Sequence, residues 1–374
     1  MPWKQVSAMD QREEFVHLAL LEGANRRELC RRMGVSPETG YKWLWRFKAG
    51  EDGGFADRSR RPLTSPGRTA EDMERRICEV RAEHPAWGAR KIQAFLAARG
   101  HEMPAPSTVH QVLKRHGLIL PAPGGERASL RFEAEAPNDL WQMDFKGYSR
   151  LGDGSRLLPL TVIDDHSRFS PCLAALGSET GEAVKVALTE VFVVHGLPLR
   201  MFTDNGVPWG GSQGNQWTKF RVWLLKLGVE LIHSRPYHPQ SRGKNERFHR
   251  SLEEEVMSLR PLANRAEAQR AFDRWRPIYN YQRPHGALGH AVPASRYRPS
   301  PRAMPRKLPE PHYAEGTITR TVSSTKGYVA FRGRLWKVSD AFCGERLAIR
   351  PIDVDGHYGV YFASHLIALI NLTE

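Results

Sequence analysis

Cysteine is scarce in this chain: Cys30, Cys78, Cys172 and Cys343 stand singly among 374 residues. With no C-x-x-C pair among them, neither a disulfide framework nor a cysteine-based zinc site is indicated. No apolar run approaches the length of a transmembrane span, and the opening MPWKQVSAMDQREE lacks the apolar core of a signal peptide, so a soluble cytoplasmic protein is expected. Acidic charge is the minority: 41 Asp and Glu stand against 55 Lys and Arg, a net +14. The excess is spread, at +5 over residues 1–137, +6 over 138–300 and +3 beyond. A chain that grips a polyanion along its whole length has this distribution, although a modestly basic surface also serves solubility. The fifteen histidines are mostly dispersed, as surface and loop residues are. Length alone predicts two to three domains.

Three of the carboxylates sit in unusual settings. The apolar run Leu199 to Thr203 delivers Asp204 into a D-N-G turn, as a strand ending in a loop does. In DLWQMDFKGY, alternation puts Leu140, Gln142, Asp144 and Lys146 on one strand face and Trp141, Met143 and Phe145 on the other. An anion amid so many aromatics needs a partner. Glu246 lies in the first turn of a segment whose Phe248, Leu252 and Val256 recur at fours, an apolar helical stripe. Brought together, three carboxylates repel unless a divalent cation neutralises them, and oxygen-only ligands suit Mg²⁺ or Mn²⁺. Two such ions about 3.5 to 4 Å apart activate a water or a 3′-hydroxyl and stabilise the leaving oxygen of in-line attack at phosphorus. The chemistry so indicated is phosphoryl transfer.

Asp144 in WQMDF, Asp204 in FTDNG and Glu246 in HPQSRGKNERFHRSL, followed by YNYQRPHGAL at Tyr279 to Leu288, resemble the D-D-E motifs of the integrase-core insertion-sequence transposases, within the retroviral-integrase superfamily. The resemblance covers roughly Asn138 to Pro299 and implies a catalytic, metal-holding triad of Asp144, Asp204 and Glu246. One departure is the 41 residues, 205–245, between Asp204 and Glu246, more than the family usually has; GVPWGGSQGNQ is a surface loop able to absorb the surplus. Glu253 to Glu255 are rivals for the third position, and Asp164 and Asp165 in TVIDDHSRFS are rival ligands whose alternative role is to order a turn. Retroviral integrases carry an amino-terminal His-His-Cys-Cys zinc module, and no such spacing occurs here.

Ahead of this core, residues 1–50 read as three short helices with a GVS turn before the third: Ser36 caps, Pro37 opens, and Gly40, Trp43, Leu44 and Phe47 share a face. That pattern is a helix-turn-helix, with Thr39, Lys42 and Arg46 as candidate DNA contacts; the alternative is a small bundle that docks a protein. Residues 51–68 form a basic linker whose Arg58, Arg60 and Arg61 lie in a minor groove or remain solvated. A second helix-turn-helix spans 69–120, with Thr108, Gln111, Lys114 and Arg115 outside its core face, and residues 121–137 are a second linker. Two such units resemble the amino-terminal half of these transposases and cover a longer terminal sequence than one.

The core, 138–299, reads β-β-β-α-β-α-β-α, the ribonuclease-H-like order, with strands at 140–148, 157–165 and 169–176 and with Asp144 and Asp204 on neighbouring strands. SRPYHPQSRGK is an irregular loop beside the site. Lys244, Arg247 and Arg250 flank Glu246; Arg250, one turn on, either holds a phosphate or neutralises Glu253 to Glu255. His238 and His249 are possible helpers. Residues 312–374 alternate in short runs, predicting a small all-β barrel. The fold class expected is multidomain: all-α helix-turn-helix units, an α/β ribonuclease-H-like integrase core, then a small all-β barrel. The expected protein is a DNA transposase working with two Mg²⁺ or Mn²⁺ ions on double-stranded DNA, as a homodimer or higher assembly, nucleoid-associated. A DNA-binding relic or repressor without chemistry, and a nuclease that cuts without joining, are the alternatives.

Overall fold

The computed structural model describes residues 7–50, 55–58, 67–119, 133–204, 206, 208–210, 217–233 and 243–373. The chain divides into two units, Met1–Arg68 and Thr69–Glu374. In the first, α1 (Ala8–Leu20) opens on a reciprocal cap between Ser7 and Asp10, α2 (Arg26–Arg32) on Asn25, and α3 (Pro37–Lys48) on Ser36. Each cap satisfies an amide that the first helical turn leaves unpaired. Phe15, Val16, Ala19, Leu29, Cys30, Trp43 and Leu44 form one core. Gly40 is required there, because a Cβ would stand 2.5 Å from Phe15 Cζ and 2.6 Å from Cys30 Sγ. Phe47 departs from the expected buried face: it is 40% exposed and stacks on Phe55.

The second unit begins with α4 (Glu71–Glu83), α5 (Ala89–Ala97) and α6 (Pro106–Arg115). They close around Ile77, Ile92, Val109, Val112 and the fully buried Trp87, whose ring stacks on His84 at 3.8 Å.

The core sheet follows with β1 (Leu140–Phe145), β2 (Ser149–Arg150), β3 (Arg156–Asp164) and β4 (Cys172–Leu176). Then come α7 (Gly181–His195), β5 (Arg200–Thr203), α8 (Lys219–Lys226), β6 (Glu230–His233), α9 (Gly243–Leu252) and α10 (Arg265–Tyr281). Strand order is β2-β3-β1-β5-β6, with β4 also on β3; β1, β3 and β4 are antiparallel, while β1-β5 and β5-β6 are parallel. This is the ribonuclease-H-like arrangement expected. The first strand is shorter than its pattern implied, because the positive φ of Gly147 turns the chain after Lys146 and pairing resumes as β2. The third strand starts later, at Cys172, since residues 167–170 are drawn into the turn that Asp164 organises.

Helices cover both faces of the sheet. Trp141, Met143, Leu160 and Val162 pack on α7 and α8, whereas Leu157, Ile163 and Leu173 pack on α9 and α10. β3 is buried on both sides, which is why RLLPLTVID is apolar throughout rather than alternating. After α10, Ser300 and Arg302 bind the backbone of His195, Leu197, Pro198, Leu227 and Gly228, strapping the proline-rich segment to the core.

The carboxyl-terminal region is all-β: β7 (Ile318–Thr321), β8 (Tyr328–Phe331), β9 (Arg334–Lys337), β10 (Arg346–Pro351), β11 (His357–Phe362) and β12 (His365–Asn371). A four-stranded antiparallel sheet, β12-β11-β10-β7, and the β8-β9 hairpin share one core, joined by Val222 of α8. Lys226 donates to Glu345 at 2.8 Å across that contact. Among the described residues, no helix is long and apolar enough to cross a membrane.

Candidate active site

β1 and β5 run parallel with Gln142 opposite Phe202. Two residues further along the chain stand Asp144, within β1, and Asp204, one residue past the end of β5, so extending this register puts the two sequence-predicted residues next to each other at the carboxyl ends of neighbouring strands. In open α/β sheets that is the edge where ligands bind. The Asp204 carboxylate accepts from the Gly206 amide at 3.0 Å, the turn its D-N-G sequence predicts. Asn205 itself lies outside the described residues.

Glu246 is exposed on α9, and α9 lies along the sheet face that carries Gln142, Asp144 and Lys146. Five residues hold the helix there. Lys244 is bonded to the buried Asp165, and Lys146 of β1 to Glu253 in the π-helical turn that continues α9. His249 Nε2 meets Thr161 Oγ1 at 2.8 Å, and that hydroxyl donates to the Asp144 carbonyl at 2.9 Å. From α10's carboxyl end, Arg283 donates to Ser251 Oγ and Glu255 at 2.8 and 2.7 Å, while Trp275 Nε1 donates to Glu255. Burial, with the positive charge of Lys146 second, holds the His249 imidazole down to about 4, so it is neutral at physiological pH.

Of the rival carboxylates, Asp164, Asp165, Glu253 and Glu255 have partners within the fold, and Glu254 is exposed. Asp164 accepts from Asn138 and Ser167, and burial pushes its carboxyl up against the pull of those bonds. Asp165 accepts from Ala134, Gln142 and Lys244. Glu253 is lowered by its bonds to Lys146 and Ser258, and Glu255 belongs to Arg283 and Trp275. Among the described residues, no three His, Cys, Asp or Glu stand close enough to hold one metal ion. Asp144 and Asp204 stand on neighbouring strands, and Glu246 is exposed on the helix that lies along that face.

Sequence families match every part of this arrangement. Integrase core domain families match residues 134–239 and 227–293, and an IS481 family transposase C-terminal domain matches 317–374. A Helix-turn-helix domain matches 11–62 and a Homeodomain-like domain 39–113. The chain is thus similar, region by region, to integrase cores and to an insertion-sequence transposase. It is 28% identical to the Insertion element IS476 uncharacterized 39.2 kDa protein of Xanthomonas euvesicatoria, over 62% of this chain and 66% of that one. It is 26% identical to the transposase InsD for insertion element IS2A/D/F/H/I/K of Escherichia coli, over 59% and 77%. Among solved structures, an intasome of simian T-cell lymphotropic virus in complex with PP2A regulatory subunit B56 gamma is similar at 18% identity, over 79% of this chain and 98% of that one, with a TM-score of 0.36.

Among the candidate DNA contacts, Gln111, Lys114, Arg247, Arg250 and Arg58 are exposed, as is Lys42, whose ammonium lies over the Trp43 ring. Others have partners within the fold: Thr39 pairs its hydroxyl with the Ser36 cap, Arg46 stacks on Trp43 and donates to Ala56, Arg115 binds the buried Glu74, and Lys244 binds Asp165. Thr108 is half-buried. Arg60, Arg61 and His238 lie outside the described residues. Sequence reasoning passed over Trp45, 75% exposed on α3 with Tyr41 one turn earlier; aromatics out of phase with the core face were the available signal. It also passed over Arg283 and Asn280, although the YNYQRPHGAL motif contains both. Arg283 secures α9, and Asn280 exchanges hydrogen bonds with the backbone of Ser170.

Proposed function

We propose that the chain is a transposase that binds the ends of its element through the helix-turn-helix units of 1–50 and 69–120, frees a 3′-hydroxyl by hydrolysis, and joins that hydroxyl to target DNA. The catalytic set is Asp144, Asp204 and Glu246 within a core of 138–299, and the all-β segment 312–374 adds DNA or protomer contacts. The observation that carries the reading is the register that sets Asp144 and Asp204 on adjacent strand ends beneath the helix bearing Glu246.

The donor set fits a hard divalent cation: it is oxygen-only, and the buried oxygens Gln142 Oε1 and Asn245 Oδ1, beside it in sequence, lack partners among the described residues. Asp144, Asp204 and Glu246 would hold two Mg²⁺ or Mn²⁺ ions, which when bound supply Lewis acidity at the scissile phosphate and lower the pKa of a bound water or hydroxyl. In hydrolysis a water oxygen bonds to phosphorus and the P–O3′ bond breaks; in joining, the freed 3′-oxygen bonds to a target phosphorus and the target's own P–O3′ bond breaks. Neither step needs a covalent enzyme intermediate. Arg250, one turn beyond Glu246 and exposed, binds the scissile or target phosphate, and Arg247 supports it. Because two ends are joined in one event, the working form is a dimer or larger assembly on DNA, in the nucleoid.

The test is purified protein with a labelled end duplex and a plasmid target, with Mg²⁺ or EDTA, beside Glu246→Ala. Metal-dependent nicking at the end together with joined products, both absent in the variant, is expected. Nicking without joining indicates a nuclease. Tight binding with no chemistry in Mg²⁺ or Mn²⁺ indicates a DNA-binding relic.

A further inference from the structure

The inward face of α9 is apolar at Phe248 and Leu252, both buried, yet it carries one imidazole, His249, aimed at a threonine hydroxyl that is itself fully buried. Thr161 has a single hydroxyl proton, and it goes to the Asp144 carbonyl, which accepts and cannot donate. His249 must therefore be the donor to Thr161, through Nε2–H. The result is a directed chain of hydrogen bonds, His249 to Thr161 to the Asp144 backbone. It starts three residues after Glu246 on the helix and ends on the first aspartate.

We infer that His249 is a positioning residue: with Thr161 it sets the height and rotation of α9 against β1, and so the placement of Glu246 relative to Asp144. The inference rests on the D-D-E reading above. Its physical basis is that apolar contacts tolerate a helix sliding by an ångström, whereas a hydrogen bond from a half-buried ring to a buried hydroxyl does not. The other bonds to α9 act on its ends: Lys244 reaches Asp165, Arg283 holds Ser251 and Glu255, and Lys146 holds Glu253. Of these contacts, only the His249 bond refers the helix to the backbone of Asp144 itself. A neutral ring suits this task, since it donates without adding a buried charge.

The experiment uses the full chain with four single variants and one double. His249→Gln keeps a donor at similar reach and His249→Leu removes it; Thr161→Ser keeps the hydroxyl and Thr161→Val removes it. Mn²⁺ binding to the protein is read by electron paramagnetic resonance, the Mg²⁺ dependence of end cleavage in parallel, and the ring tautomer by nitrogen-15 NMR. We expect His249→Leu and Thr161→Val each to weaken Mn²⁺ binding, and to raise the Mg²⁺ needed for half-maximal cleavage, by about 10- to 100-fold, as loss of an outer-shell partner does. The double variant should be no worse than either single, because the two act as one unit. Gln and Ser should restore most of the loss, and the wild-type ring should be the Nε2–H form, with that proton unprotected in Thr161→Val. Wild-type Mn²⁺ affinity in His249→Leu overturns the positioning role alone. So does a Gln variant as impaired as Leu at an unchanged melting temperature. Should His249→Leu not fold, Thr161→Val and the ring spectrum decide the matter. A wild-type protein that binds no Mn²⁺ overturns the D-D-E reading and this inference with it.

Discussion

At the scale of single residues, the basic side chains around Glu246 differ in kind although they look alike in sequence. Lys244 is held by the fully buried Asp165, whereas Arg250 is exposed. Arg250→Ala should lower end cleavage by about 10- to 100-fold, the worth of a charge-assisted contact to phosphate, while end binding in EDTA stays near wild type. Lys244→Met should instead destabilise the fold by about 3 kcal/mol, because it leaves a buried carboxylate without its cation. Denaturant melts of both variants separate the two roles, and equal melts would refute the distinction. Sequence spacing placed all three cations near the site. It could not tell them apart, because Asp165 is 79 residues away along the chain.

Among elements, α9 is the one whose placement matters most, and its restraints come from other parts of the chain. Arg283 is 2% exposed and meets Glu255 and Ser251. Arg283→Ala breaks a buried ion pair and should cost about 3–5 kcal/mol, read from urea unfolding. Hydrogen exchange should quicken in the π turn at 253–257 before it does in β1, and uniform exchange would argue against a local role. In the first unit, α3 approaches α1 and α2 only because residue 40 has no side chain. Gly40→Ala should lose about 1–3 kcal/mol by overpacking and weaken end binding in proportion, measured by melting and by gel shift. The start of α3 was legible from Ser36, a side-chain cap in the structure. The short β2 was not, since two residues carry no periodicity.

For the molecule as a whole, the second helical module and the core meet around α10, where Ile278 joins the module's apolar cluster. Lys91 of α5 is near this contact; burial, followed by the charge of Arg283, holds its ammonium down to about 7 against an ordinary 10.5. Between those two values the unfolded chain carries a proton that the folded chain lacks, so stability rises with pH through that window and the cost is complete below about 7. Lys91→Met should remove the rise and elevate the melting temperature at neutral pH, checked by melts from about pH 6 to pH 10. An unchanged slope would mean that the lysine is hydrated. Net charge of +14 predicts that DNA binding weakens steeply with salt, and each phosphate contact deleted should lower the logarithmic slope by about one.

What the sequence determined by itself is what neighbours along the chain can encode. Caps, helical and strand periods, the turn after Asp204, the order of strands and helices and the motifs around Asp144, Asp204 and Glu246 are all local patterns, readable without knowing what packs on what. Tertiary structure alone decided which polar groups meet. Asp164 and Asp165 became buried anchors of the backbone and of Lys244, Lys244 an internal partner, His249 a donor to Thr161, and Arg283 the restraint on α9. The reason is physical: a buried charge or hydroxyl is stable only beside its complement, and here the complements lie 26 to 88 residues apart, at distances along the chain where no periodicity reaches.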